Sequence, residues 1–235
     1  MGRKKIVNYV KASRKKLFEQ KIGPFQVFVH DALPEEVNVE HVLQKTQDLL
    51  PDHVLGLVDV IYIGNFSLFK DRNINASYID GALYISSKQD NNFDMLDDII
   101  HELAHAVEEE YSDFLYDDEK IKNEYFGKLR KLRNYLSFEG YNIRDVNFYN
   151  EKYNSKFDEF LQNEVGYDKL SGFTNGLFLD PYSCTSMREY FATGFESFFL
   201  QQKQGLLKNT CPYLYKKIYV LVENNPKDIK YEHEM

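Results

Sequence analysis

The sequence contains no tryptophan, only two cysteines and no apolar run long enough to cross a lipid bilayer. A membrane-spanning helix needs about 20 consecutive apolar residues, so the sequence excludes an integral helical membrane protein. Cys184 and Cys211 form neither a CxxC pair nor a disulfide framework, and we expect free thiols. The N-terminus lacks the apolar stretch of a secretory signal peptide. We therefore expect a soluble, cytoplasmic protein, with export by another route left open.

Acidic residues outnumber basic ones, 37 to 29, so the formal net charge is −8. This balance speaks against nucleic-acid binding as the main activity. Basic residues gather at the start, in "MGRKKIVNYVKASRKK", which we interpret as a solvated or frayed terminus, with a docking role as the alternative. We assign residues 1–23 to a basic N-terminal segment. What the sequence has in quantity is tyrosine and phenylalanine, 18 of each. They predict a well-filled core or a substrate cleft.

Residues 24–111 show strand and helix patterns in turn. Strands are predicted by "PFQVFVHD" and "LVDVIYIGNF", and a helix ending at Pro51 by "NVEHVLQKTQDLL". A hairpin around Asp80-Gly81 is predicted by "NINASYIDGALYISS", and a second helix by "DMLDDIIHELAHAVEEEY". We expect these elements to form an N-terminal lobe. Within it, "GALYISS" is predicted to be an edge strand to which an extended peptide can add.

The remaining chain predicts a helical C-terminal lobe. Residues 112–180 are charged and rich in aromatics, and amphipathic helices are predicted within them by "DDEKIKNEYFGKLRKLRNYLSF" and "NEKYNSKFDEFLQNE". The stretch "DKLSGFTNGLFLDPYSCTS" is typical of a loop. Residues 181–225 contain two apolar segments, "MREYFATGFESFFLQQ" and "CPYLYKKIYVLVEN", that predict packed helices. No repeat or long linker occurs, so we expect one α+β domain over 1–235, with two lobes around a cleft.

The chemistry of the chain is concentrated in His-Glu-Leu-Ala-His at 101–105. Histidines at i and i+4 lie on one face of a helix, and the glutamate beside the first can reach a metal-bound water. The alternative is a helix with two surface histidines. Apolar neighbours of the motif predict a partly buried helix, in which two histidines without partners would be costly. We therefore predict His101 and His105 as zinc ligands and Glu102 as the general base.

Catalytic zinc typically takes three protein ligands, and the third is not another histidine of this helix. Glu108 and Tyr111 stand where the HExxHxxGxxH motif needs glycine and histidine. Two downstream glutamates compete instead. Glu164, in "NEVGYD", resembles the Asn-Glu-x-x-Ser-Asp element of thermolysin-like enzymes but also fits the end of a helix. Glu189 opens an aromatic-rich helix and is the better candidate, although with Ser186 it also fits a capping box.

The motif, followed by "YSCTSMREYFATGFESFF" and "CPYLYKKIYVL", resembles a family of zinc metallopeptidases. This family contains the catalytic domain of anthrax lethal factor and the bacterial Pro-Pro endopeptidases. The resemblance covers most of the chain and implies a zincin-like fold with one zinc per chain. It implies that His101, His105 and the Glu189 of a Glu-aromatic-Phe-Ala element hold the metal, and that Tyr182 lines the active site. The interval from His105 to Glu189 is longer than in the family, so the resemblance implies that residues 112–180 are a helical insertion, which we expect to govern substrate access or partner binding. Secreted members of the family carry export signals that this sequence lacks.

These observations predict a zinc-dependent endopeptidase that acts on a protein or peptide substrate. Glu102 would move the water proton to the leaving amine, and Tyr182 would donate a hydrogen bond to the oxyanion or leaving group. One alternative is a zinc-binding or catalytically inactive interaction protein, in which a protease scaffold presents residues 112–180 to a partner. Another is a zinc hydrolase of a different branch that uses Glu164. The spacing of residues in the sequence does not show whether Pro-Pro bonds are preferred or what the oligomeric state is.

Overall fold

Residues 18–72, 74–200 and 204–232 are described by a computed structural model of the chain. The fold is mixed α+β, as predicted, with a five-stranded sheet and about 59% helix. The chain divides into two units, 1–106 and 107–235, and the boundary falls inside a long helix. The basic stretch 1–16 lies outside the described residues. Within the part of the chain that is described, no helix is long and apolar enough to cross a membrane.

The first unit contains a sheet with the strand order β1-β2-β3-β5-β4. The strands are β1 (Phe18–Ile22), β2 (Phe25–Val29), β3 (Val60–Gly64), β4 (Ala76–Ile79) and β5 (Ala82–Ser86). The three middle strands are parallel, and β1 and β4 pair antiparallel at the two edges. Strands in parallel pairs are covered on both faces, which explains the apolar runs from which β2, β3 and β5 were predicted.

One expectation about the strands is wrong, and one strand was not predicted. Residues 18–22, assigned from the sequence to the basic N-terminal segment, form β1 in a hairpin with β2 through Gly23, whose φ is +58°. The stretch "GALYISS" is not an edge strand, since β5 lies between β3 and β4 and is hydrogen bonded on both sides. The edge strand on this side of the sheet is β4. A hairpin pattern does not show which of its two strands continues into a larger sheet.

The turn between β4 and β5 is the predicted Asp80-Gly81 pair. Both residues have positive φ, +51° and +81°, as a type I′ two-residue turn requires. Such a turn makes the flanking residues Ile79 and Ala82 a hydrogen-bonded pair, and the pairing then alternates along the strands. A further bond of this kind, from the Ser86 N–H to the Asn75 carbonyl at 2.7 Å, agrees with that alternation. The turn therefore fixes which backbone groups of β4 face away from β5.

In its described residues the first unit contains, wholly or partly, the helices α1 (Val39–Leu49), α2 (Asp52–Leu55), α3 (Ser67–Arg72) and α4 (Asn92–Tyr116). The Asn38 side chain caps α1 by accepting the His41 N–H, and α1 ends before Pro51 as predicted. The Asn91 side chain accepts the Phe93 N–H at 2.7 Å and thereby starts α4. Helical geometry in α4 breaks at Tyr111 (φ −115°, ψ 25°).

The second unit is helical in its described residues. Its helices after α4 are α5 (Lys120–Phe138), α6 (Ser155–Glu159), α7 (Tyr167–Thr174), α8 (Met187–Phe199), α9 (Gln204–Thr210), α10 (Pro212–Glu223) and α11 (Pro226–Glu232). The loop predicted over 168–186 is wrong in part, because α7 occupies its first residues. Gly166, with φ +80°, separates α7 from the preceding helical turns. The bounds of α5, α8 and α10 agree with the predicted helices.

Helix α5 belongs to the core of the second unit. Its buried side chains include Ile121, Tyr125, Leu129, Leu132 and Leu136. The Tyr125 hydroxyl donates to the Cys184 carbonyl at 2.9 Å, close to the start of α8. Whether residues 112–180 are an insertion relative to the family stays a prediction. The segment is nevertheless not separable, because α5 packs against α8 and α10.

Two charged groups of α5, the half-buried Glu124 and the buried Lys128, add to this packing. The Glu124 carboxylate accepts the Tyr190 hydroxyl at 2.8 Å and the N–H groups of Tyr213 and Leu214 at the start of α10. The Lys128 ammonium, which is buried, donates to the Leu177 and Thr210 carbonyls at 2.6 and 2.5 Å. A charged group removed from water needs such partners, and here they come from helices α8, α9 and α10 and from the loop after α7. Helix α5 thus holds the second unit together.

We predict that Leu132→Ala lowers the free energy of unfolding by about 2–5 kcal/mol, because Leu132 is fully buried and its truncation leaves a cavity. The matched control is Phe138→Ala on the same helix. Phe138 is 88% exposed, so its truncation should change the free energy by less than about 0.5 kcal/mol. Urea unfolding of the full chain measures both. Equal effects of the two substitutions would show that α5 is not core structure.

Candidate metal centre

Helix α4 brings His101, Glu102 and His105 together. One ligand atom from each residue lies within 4.8 Å of the others. The two imidazole rings are perpendicular, with centroids 5.0 Å apart, as spacing of i and i+4 on one helical face requires. Among the residues that the structure describes, no second group of His, Cys, Asp and Glu is placed in this way. The first part of the predicted site is therefore assembled within one helix.

The surroundings of this group are apolar, as the sequence predicted. Glu102 and His105 are only 7% and 6% exposed, and His101 is half-buried. Helix α4 buries the neighbouring side chains of Ile99, Ile100, Leu103, Ala104 and Val107. A carboxylate in such a place is stable only when donors or a cation compensate the water it has lost.

Strand β4 supplies one of these donors. The Tyr78 backbone N–H donates to Glu102 Oε2 at an N···O distance of 2.5 Å. Bonds from an N–H to an ionised carboxylate are shorter and stronger than neutral ones. This contact lies within the first unit and links the open edge of the sheet to the middle of α4.

The two imidazoles fit zinc. Catalytic zinc sites typically use imidazole nitrogens, take a further protein ligand and keep one position for water. Thiolate ligation is not favoured, because Cys184 and Cys211 are free, fully buried residues of the second unit. Burial raises the pKa of both thiols and so disfavours the thiolate form that a metal would need. The two imidazoles of α4 are thus the observed donors for a metal, and a third protein ligand stays a prediction.

Glu189 lies in the first turn of α8, in the second unit, and is half-buried. The Ser186 hydroxyl accepts the Glu189 backbone N–H at 3.1 Å, so the serine half of the predicted capping box is present. This bond uses the backbone of Glu189 and not its carboxylate. The group of three in α4 does not include Glu189, and its assignment as the third ligand stays a prediction.

Sequence reasoning missed Glu108, which it treated only as the residue that breaks the longer zinc motif. Burial raises the pKa of this carboxyl, the Tyr116 hydroxyl and Arg188 act in the opposite direction, and Glu189 raises the pKa further. The Tyr116 hydroxyl donates to Glu108 Oε1 at 2.6 Å. Glu108 and Glu189 therefore share one electrostatic environment in the second unit. The sequence feature that could have drawn attention to Glu108 is its position directly after the apolar pair Ala106-Val107.

Tyr182 lies in a single 3-10 turn, Tyr182–Cys184, ahead of α8. Its backbone is fixed on both sides, because its N–H donates to Asp180 Oδ1 at 2.7 Å and its carbonyl accepts the Thr185 N–H at 2.9 Å. The side chain is 39% exposed, whereas the core tyrosines Tyr125 and Tyr190 are buried. Tyr182 is thus an accessible phenol near the start of the Glu189 helix, as expected. Its role in catalysis stays a prediction.

Glu164 lies in a π-helical turn, Phe160–Val165, and its side chain is exposed. The Gly166 N–H closes this turn by donating to the Leu161 carbonyl at 2.9 Å. The geometry is the helix end that the sequence offered as the alternative to a ligand role.

Comparison of the chain with protein-family models, with curated proteins and with solved structures finds no match. A functional conclusion must therefore come from the site residues.

We predict about one zinc per chain, lost in His101→Ala, in His105→Ala and in Glu189→Ala, because a site with two remaining ligands binds zinc far more weakly. Glu164→Ala is the matched control, since it removes an exposed glutamate of the same unit as Glu189. Elemental analysis of purified variants measures the metal. Loss of zinc in Glu164→Ala with retention in Glu189→Ala would reverse the assignment of the third ligand.

Proposed function

We propose that the chain is a zinc-dependent endopeptidase with a zincin-like fold, similar to the catalytic domain of anthrax lethal factor and to the Pro-Pro endopeptidases. The observation that carries the proposal is the placement of His101, Glu102 and His105 within 4.8 Å on one buried helical face. His101 and His105 would hold the metal. Glu189 is the third ligand that the family resemblance supplies.

The reaction we propose is hydrolysis of a peptide bond. When bound, zinc acts as a Lewis acid that polarises a carbonyl group and lowers the pKa of a water molecule. Glu102 accepts the proton of this water and delivers it to the leaving amine. The phenol of Tyr182 donates a hydrogen bond where negative charge develops. Burial of Glu102 excludes competing solvent from the carboxylate.

The substrate would bind along β4. Its outer edge is the open edge of the sheet on this side, and an extended peptide can add to such an edge through backbone hydrogen bonds. Strand β4 also contacts Glu102 through Tyr78, so a peptide on this edge would lie beside the proposed base. The net charge of −8 favours basic over acidic substrates.

A second candidate is a zinc-binding interaction protein that presents residues 112–180 to a partner. Exposed aromatic side chains near the end of α5 favour it, since Tyr135 is 49% and Phe138 is 88% exposed. The buried glutamate between the two histidines favours the enzyme, because a structural zinc site is closed by its ligands and has no use for a base. Cleavage of a proteome-derived peptide library, with and without a chelator, separates the two candidates.

We predict that Glu102→Gln keeps its zinc and its fold but loses about two to four orders of magnitude in turnover, because the amide cannot accept the proton. The matched control is Glu109→Gln, which changes an exposed glutamate of the same helix. Cleavage of a selected library peptide measures both variants. Wild-type turnover in zinc-loaded Glu102→Gln would contradict the enzymatic proposal.

For Tyr182→Phe we predict unchanged zinc content and melting temperature, with turnover reduced by about one to three orders of magnitude, as for a lost oxyanion donor. Tyr213→Phe is the control, because Tyr213 is exposed to a similar degree, 46% against 39%. A structural tyrosine would give the reverse pattern, with lowered stability and unaltered turnover.

A further inference from the structure

The Asp80-Gly81 turn fixes which backbone N–H groups of β4 point toward β5 and which point away from it. The two-residue turn makes Ile79 hydrogen bonded to β5, and Ser77 follows with the same orientation two residues earlier. The N–H groups of Ala76 and Tyr78 must then point away from β5, toward the open edge. The Tyr78 N–H is the one that meets Glu102.

A glutamate side chain can adopt several rotamers. Fixing it in one of them costs side-chain entropy, and a short bond from a strand offsets part of that cost before any substrate arrives. The donor is a backbone group, so its position depends on the strand and not on a second flexible side chain. A base must lie within hydrogen-bond reach of the proton that it takes.

We infer that the backbone N–H of Tyr78 is a positioning group for Glu102, which holds the carboxylate in its working orientation through the register that the Asp80-Gly81 turn imposes. The catalytic role of this contact rests on the proposed function. The N–H to carboxylate bond itself does not depend on that function. The two can therefore be tested separately.

The first test measures the bond directly, by the amide proton resonance and hydrogen exchange of Tyr78 in the full chain, before and after zinc is added. In the wild type we expect a downfield resonance with slowed exchange. In Glu102→Ala we expect an upfield shift and exchange about tenfold faster, since an amide on an open strand edge then faces water. The Ala76 amide, which also faces outward, is the internal control and should not change. An unaltered Tyr78 amide in Glu102→Ala overturns the inference.

The second test removes the donor. Tyr78→Pro deletes the N–H at an outward-facing edge position, where proline is tolerated, and Tyr78→Ala deletes the side chain but keeps the N–H. We expect zinc content to be equal in the two variants and kcat to be about 10- to 100-fold lower in Tyr78→Pro. Ala76→Pro controls for proline on the same edge and should raise KM while kcat is retained.

The outcomes are distinguishable. Equal kcat in Tyr78→Pro and Tyr78→Ala overturns the positioning role even though the enzyme is active. Absence of peptide cleavage by the zinc-loaded wild type overturns the proposed function, and the amide measurement then still decides whether Tyr78 holds Glu102.

Discussion

The burial of one carboxylate between two imidazoles is the constraint on which the first unit depends. Glu102 is 7% exposed, so its carboxylate needs hydrogen-bond donors or a cation in fixed positions to compensate for the water it has lost. The helical repeat provides the imidazoles of His101 and His105, and the apolar side of α4 takes the group out of water. The sheet provides the Tyr78 N–H, whose direction follows from a type I′ turn two residues away. The spacing of the motif, the type I′ turn and the strand order therefore together determine the surroundings of the Glu102 side chain.

In the second unit, the surrounding helices hold α8 in place. Helix α5 does this through buried apolar side chains and through two charged groups with several partners each. Glu124 joins Tyr190 of α8 to the first N–H groups of α10, and Lys128 joins the Leu177 and Thr210 carbonyls. Because Tyr190 follows Glu189 directly, this network also limits the movement of the proposed third ligand. The residues that look like surface charges in the sequence are therefore part of the core.

Local patterns predicted much of the fold, and long-range pairing explains where they failed. The Asp80-Gly81 turn, the helix end at Pro51 and the grouping of His101 with His105 each depend on residues close in sequence, and the structure confirms them. The edge position of β4 depends on the parallel pairing of β5 with β3, which no local pattern encodes. The same holds for β1, whose exposed residues have no apolar periodicity. Glu108 was missed because its environment is formed by Tyr116 and Arg188, and Arg188 is 80 positions away along the chain.

The most direct test of the central claim is the X-ray absorption spectrum of the zinc-loaded full chain. Zinc–nitrogen distances to histidine are about 2.0–2.1 Å and zinc–sulfur distances are about 2.3 Å, so the two ligand types are readily distinguished. The account predicts a shell of nitrogen and oxygen only, with the scattering of two imidazoles, and no bound zinc in His105→Ala. Sulfur in the shell, or a zinc content and spectrum that His105→Ala leaves unchanged, would contradict it.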